Sequence, residues 1–96
     1  MAIDKVLQSR RREIVEIAQR YGARDVRVFG SRARGEARPD SDFDILVNVE
    51  ERTSLLDIVA IKQDLEDLLG SPVHLVTEDA ISPYMREKVL KQAITL

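Results

Sequence analysis

One stretch, Val26 to Val49, concentrates the side chains that do chemistry. Gly30 and Ser31 stand side by side, ten residues follow, and then Asp42 and Asp44 flank Phe43. Gly30 has no Cβ, so a phosphate can approach the backbone there. Ser31 is expected to open a short helix, where free N–H groups and the helix dipole favour an anion. Asp42 and Asp44, two apart on an expected strand, point to one face. Adjacent carboxylates repel unless a cation lies between them, and Mg²⁺ is commonly held by one or two carboxylates together with substrate phosphates. Arg32, Arg34 and Arg38 are candidate charge-assisted donors to the same phosphates. The plainer reading leaves them exposed and paired with Glu36 or Asp40. A phosphate cradle facing a metal-binding carboxylate pair is equipment for nucleotide chemistry. The plainer account of the two aspartates is charge that keeps an edge strand soluble. Their apolar flanks argue instead for a central strand, where a carboxylate pair without a cation is costly.

These side chains need a scaffold, and apolar periodicity predicts one. Residues 4–21 read as a helix with Leu7, Ile14, Ile17, Ala18 and Tyr21 on one side, stopped at Gly22. Residues 25–29 read as the strand that delivers Gly30, with Val26 and Val28 facing one way and Arg27 and Phe29 the other. Residues 31–38 read as a short helix weakened by Gly35, and Pro39-Asp40-Ser41 as a turn. The second strand covers 42–49, with Asp42, Asp44 and Leu46 on one face and Phe43, Ile45, Val47 and Val49 on the other. Thr53 or Ser54 is expected to cap a helix reaching to about Leu69, with Ser54 and Asp57 approximating a capping box. Leu55, Ile58, Ile61, Leu65 and Leu68 mark its buried stripe, widened by Leu56, Val59 and Leu69. Gly70 and Ser71-Pro72 end it. Residues 73–77 read as a third strand. Ser82-Pro83 starts a last helix with Tyr84, Met85, Val89, Leu90 and Ala93 on its apolar side. This order predicts a small α/β (α+β) domain with helices packed on a three- or four-stranded sheet.

At 96 residues the chain is expected to form one domain, 1–96, around a single modest core. Aromatic residues are 4% with no Trp, so the core is aliphatic and broad base-stacking platforms are not expected. A net charge of −2 and a pI near 5.4 argue against a general nucleic-acid binder, whose domain is usually basic. The run Arg10-Arg11-Arg12 reads more simply as a solvated helix face than as a phosphate or RNA contact. With no cysteine, disulfides and thiolate metal sites are excluded, which fits a cytoplasmic protein. No apolar run is long enough to cross a membrane, and the opening MAIDKVLQSRRR lacks a signal-peptide core.

Gly-Ser, a ten-residue spacer and Asp-X-Asp between two strands resembles the signature of the polymerase-beta-like nucleotidyltransferases. The fuller string GSRARGEARPDSDFDILV resembles their smallest members, the minimal nucleotidyltransferases or MNT domains. LLDIVAIKQDLEDLLG and LVTEDAISPYMREKVL are similar to that family too, so the resemblance runs over nearly the whole chain. It implies a mixed sheet of the nucleotidyltransferase fold, which spacing alone does not show. It also implies transfer of AMP from ATP to a hydroxyl with release of pyrophosphate, using Mg²⁺ or Mn²⁺ at Asp42 and Asp44. Ser31 and the backbone near Gly30 would then hold the terminal phosphates. The acceptor it implies lies on a partner, such as a tyrosine of a HEPN-domain protein in a toxin–antitoxin pair. The alternative is a binding module that keeps the nucleotide pocket and acts as an antitoxin by masking its partner. Tyr84, Met85 and Val89 are its candidate interface, although core packing explains them equally well. A self-associating homo-oligomer with a vestigial site is also compatible with the composition.

In that family a third carboxylate commonly sits on the strand after the long helix. The matching position here is His74, the only histidine. Neutral imidazole brings one nitrogen and no charge, so Mg²⁺ is expected to be held less well, whereas Mn²⁺ tolerates nitrogen better. Three readings stand. His74 is catalytic or metal-adjacent, for instance as a general base, a role common for imidazole. Or it marks a weakened enzyme that still binds nucleotide. Or it is an ordinary partly buried histidine, with Glu78 supplying the third acid if the strand continues that far. Thr77-Glu78-Asp79 reads more like a turn, which disfavours the last.

Overall fold

Apolar periodicity sorts the chain into layers about a sheet. The computed structural model describes residues 4–96. Its elements run α1 (Lys5–Arg20), β1 (Ala23–Phe29), α2 (Gly30–Arg34), β2 (Phe43–Val49), α3 (Leu55–Leu69), β3 (Val73–Thr77), a 3-10 turn (Glu78–Ala80), α4 (Pro83–Gln92) and β4 (Ile94–Thr95). The strands lie in the order β3-β2-β1-β4. β1 pairs antiparallel with both β2 and β4, whereas β2 and β3, joined through α3, run parallel. The sheet is therefore mixed.

One sheet face carries Val26, Val28, Phe43, Ile45, Val47 and Val73. Leu7, Ile14 and Ala18 of α1 and Ile61 and Leu65 of α3 close over it to make one core. Burying a side chain of this kind contributes about 1.5–3 kcal/mol, so this aliphatic layer holds the strands in register. The helix ends follow from sequence. The Asp4 carboxylate accepts from the Val6 N–H at 2.8 Å to start α1. Ser54 and Asp57 exchange the two bonds of a capping box at the start of α3. Tyr21 closes α1, and its hydroxyl donates to Asp64 of α3 at 2.9 Å, the main cause of a phenol pKa above the usual range.

Two expectations change. The buried stripe of α3 is shorter than its apolar pattern: Leu55 is 79% exposed, Leu56 80%, and Val59 is exposed as well. Only Ile61 and Leu65 are fully covered, because α3 meets α1 and β3 through its later turns and its first turn stands beyond the core layer. At the other end, Ala93 does not extend the apolar side of α4 but ends that helix, and the chain then adds β4. Ile94 pairs with Val28 and Thr95 with Arg27. A strand of two residues is too short to display a period, so the pattern gave no sign of it.

Candidate active site

Opposite the core, the second sheet face is built in cross-strand rows. The register sets Phe29 beside Asp44 and Asp44 beside His74; the next row is Arg27, Leu46 and Val76. Phe29, Asp44 and His74 thus share the end of the sheet where β1 runs into Gly30. His74 Nδ1 lies 3.3 Å from Asp44 Oδ1, with the imidazole 67% exposed and the carboxylate 25%. The histidine holds the position, one strand over from Asp44, where the resemblance expects a third acid.

Gly30 makes this end of the sheet possible. Its φ is 73°, a conformation L side chains rarely adopt, and a Cβ there would overlap the Asp44 carboxylate. Glycine lets β1 turn into α2 and lets Asp44 lie against the backbone of that turn. Ser31 follows directly, half-buried in the five-residue α2, which closes when the Gly35 N–H donates to the Ser31 carbonyl.

Asp42 lies one residue outside the strand it was expected to share with Asp44. The ladder begins at Phe43, whose N–H donates to the Pro72 carbonyl at 3.0 Å. Across from Asp42 the chain is still at Ser71-Pro72, and proline has no N–H with which to extend the pairing. The alternation survives nonetheless: exposed Asp42, buried Phe43, partly exposed Asp44.

Arg32 requires a correction. It is 4% exposed, and its guanidinium is spent inside the protein. Nη1 donates to Asp4 at 2.8 Å, and Nη2 donates to the carbonyls of Ser41 at 2.7 Å and Pro39 at 3.3 Å. Its Cζ stacks 3.9 Å from the Phe43 ring centroid, and Nε is buried with no acceptor among the described residues. Rather than reaching a phosphate, Arg32 fastens the turn that leads into Asp42. Arg34 is different: exposed, paired through Nε with Glu36 at 3.0 Å, and bordering a groove beside Gly30.

Glu78, weighed as a substitute third acid, is not free for that role. It sits on the 3-10 turn, where Arg27 donates to one carboxylate oxygen at 3.0 Å and Arg86 to the other at 3.3 Å. The Arg27 hydrogen bond leads the causes that hold its carboxyl below the usual range. Glu78 ties α4 to β1.

Among the described residues no trio of His, Cys, Asp and Glu side chains is arranged to hold a metal ion. The donor set still suits Mg²⁺, a hard cation that takes one or two carboxylates and completes its shell with water and phosphate oxygens. Asp42 and Asp44 supply such a pair. No helix among the described residues is long and apolar enough to cross a membrane.

A turn at Gly-Ser, an aspartate lying against it and a small mixed sheet together define a nucleotidyltransferase scaffold. The pattern of the nucleotidyltransferase domain family matches residues 11–96, and the chain belongs to that family. The protein adenylyltransferase MntA of Thermococcus cleftensis is 40% identical over 92 residues, covering 96% of this chain and 90% of that protein. A solved structure assigned as a minimal nucleotidyltransferase superposes with a TM-score of 0.88 at 49% identity, over 100% of this chain and 97% of that one. A toxin–antitoxin structure with AMP-PNP, at 23% identity, shares the fold with a TM-score of 0.75 over 88% of this chain and 69% of its own.

Proposed function

We propose that this protein transfers AMP from ATP to a hydroxyl of a partner protein, as the antitoxin-type member of a cytoplasmic pair with a HEPN-domain protein. The observation that carries the reading is the seating of the Asp44 carboxylate against the Gly30 turn with His74 beside it. Further support comes from relatives: the Thermococcus protein bears the name protein adenylyltransferase, and the toxin–antitoxin structure contains AMP-PNP. In this reading the Gly30 backbone and the Ser31 hydroxyl receive the terminal phosphates, and Arg34 adds a charged donor. Asp42 and Asp44 hold the divalent ion, Mg²⁺ or Mn²⁺, which when bound offsets charge on the triphosphate. His74 accepts the proton of the acceptor hydroxyl as that oxygen attacks the α-phosphorus and pyrophosphate leaves.

A second reading has its own observation, the imidazole where a carboxylate is expected. His74 contributes no negative charge to a metal, which favours a weakened nucleotide-binding module that neutralises its partner by forming a complex. One experiment separates the two. The protein is mixed with the product of its neighbouring gene, α-labelled ATP and either Mg²⁺ or Mn²⁺. Transfer predicts label on the partner, lost in Asp42→Asn. No label with either ion, together with full neutralisation by Asp42→Asn, would establish masking instead.

A further inference from the structure

Two cations outside the Gly-Ser and Asp-X-Asp arrangement converge on its flank. A groove of about 490 Å³ runs between α2 and α4. Its floor is apolar, from Phe29, Met85 and Val89, and Gly30 forms part of its wall. Arg34 at the end of α2 and Lys88 in the middle of α4 are its two charged lining residues. A smaller apolar recess of about 230 Å³ shares Phe29, Met85 and Val89 with the groove and is also lined by His74, the neighbour of Asp44 in its row.

The charges in this groove differ from those around it. Lys91, one turn along α4, is paired with Glu87 at 3.2 Å, whereas Lys88 enters no salt bridge among the described residues. Arg34 meets Glu36 through Nε only, and an exposed pair of that kind is weak. Arg32, two residues before Arg34, is consumed by Asp4 and by backbone carbonyls. A charge balance then singles out the groove. One divalent ion offsets only part of the charge of a triphosphate beside Gly30, so cationic side chains nearby would strengthen its binding.

We propose that Lys88 of α4 is a phosphate-binding residue for the triphosphate substrate, closing the Gly30 groove opposite Arg34. The proposal rests on the nucleotidyl-transfer reading and adds to it a residue from a helix that carries no recognisable phosphate motif. A lysine suits the place: a compact charge on a flexible stem that can follow the terminal phosphates from a rigid helix. Since Lys88 is exposed, its replacement should leave the core intact.

The test is calorimetric binding of ATP and of AMP, each with Mg²⁺ or Mn²⁺, to the full chain and to Lys88→Met, Lys88→Arg and Lys91→Met. Lys88→Met is expected to weaken ATP about tenfold, the worth of one charge-assisted bond, and to leave AMP nearly unchanged. Lys88→Arg should restore most of the loss, and Lys91→Met should bind as the parent does. Unchanged ATP binding in Lys88→Met overturns the assignment, as does an equal loss for ATP and AMP or an equal loss in Lys91→Met. A parent protein that takes up no ATP with either ion overturns the nucleotidyl-transfer reading, and this assignment with it.

Discussion

Gly30 and Asp44 compete for one small volume, and glycine at position 30 is what lets the aspartate have it. Gly30→Ala is expected to cost about 1–2 kcal/mol from the left-handed backbone alone, and to displace the carboxylate and with it ATP binding. Chemical denaturation and a nucleotide titration check both effects; parental ATP binding would show that the carboxylate can lie elsewhere. Arg32 and Arg34 make a second contrast. Arg32→Met leaves Asp4 without its buried partner and is expected to cost about 3 kcal/mol, whereas Arg34→Met should stay within about 0.5 kcal/mol. Comparable melting curves for the two variants would refute the difference in burial. In sequence the two arginines look alike, because the acid that claims Arg32 lies 28 residues away at the start of another helix. For His74, the expected gain lies in charge: His74→Asp should raise Mg²⁺-dependent transfer, because aspartate adds an oxygen ligand and can still accept a proton. A fall in rate would give the imidazole a role that a carboxylate cannot fill.

At the scale of elements, periodicity identified every helix of eight or more residues and the three longer strands, but not how far each apolar stripe is covered. The pattern of α3 extends from Leu55 to Leu69, yet coverage depends on where α1 and β3 lie, which no local spacing encodes. Ile61→Ala is therefore expected to cost about 2–5 kcal/mol, and Leu56→Ser to stay within about 0.5 kcal/mol, as read by urea unfolding. A large loss from Leu56→Ser would place that leucine in the core after all. The joint between α4 and β1 gives a pH signature. The folded-state pKa of Glu78 lies below its ordinary value of 4.5, with the Arg27 hydrogen bond as leading cause. Its contribution to stability is thus complete above the ordinary value and is lost as pH falls through the lowered one, where the unfolded chain binds the proton more readily. Glu78→Gln should flatten the acid limb of the stability–pH curve. An unaltered limb would mean that other carboxylates carry it.

The whole molecule divides its labour between two sheet faces. The aliphatic face was legible as alternating Val, Ile and Phe, and the chemical face as Gly-Ser followed by Asp-X-Asp, since both are written in contiguous residues. Strand order was not legible: spacing does not say that β2 is flanked by β1 and β3, or that the last residues return to β1. Lys88 was missed for the same reason, being an ordinary helix-surface lysine until α4 is laid beside Gly30. The parallel partnership of β2 and β3 also bears on how the protein is made. Phe29 and Asp44 leave the ribosome early, but His74 can join them only after the whole of α3 has emerged and folded back. Such long-range pairing is slow to form, so a nascent chain carries the glycine turn and its aspartate for some time before the histidine arrives.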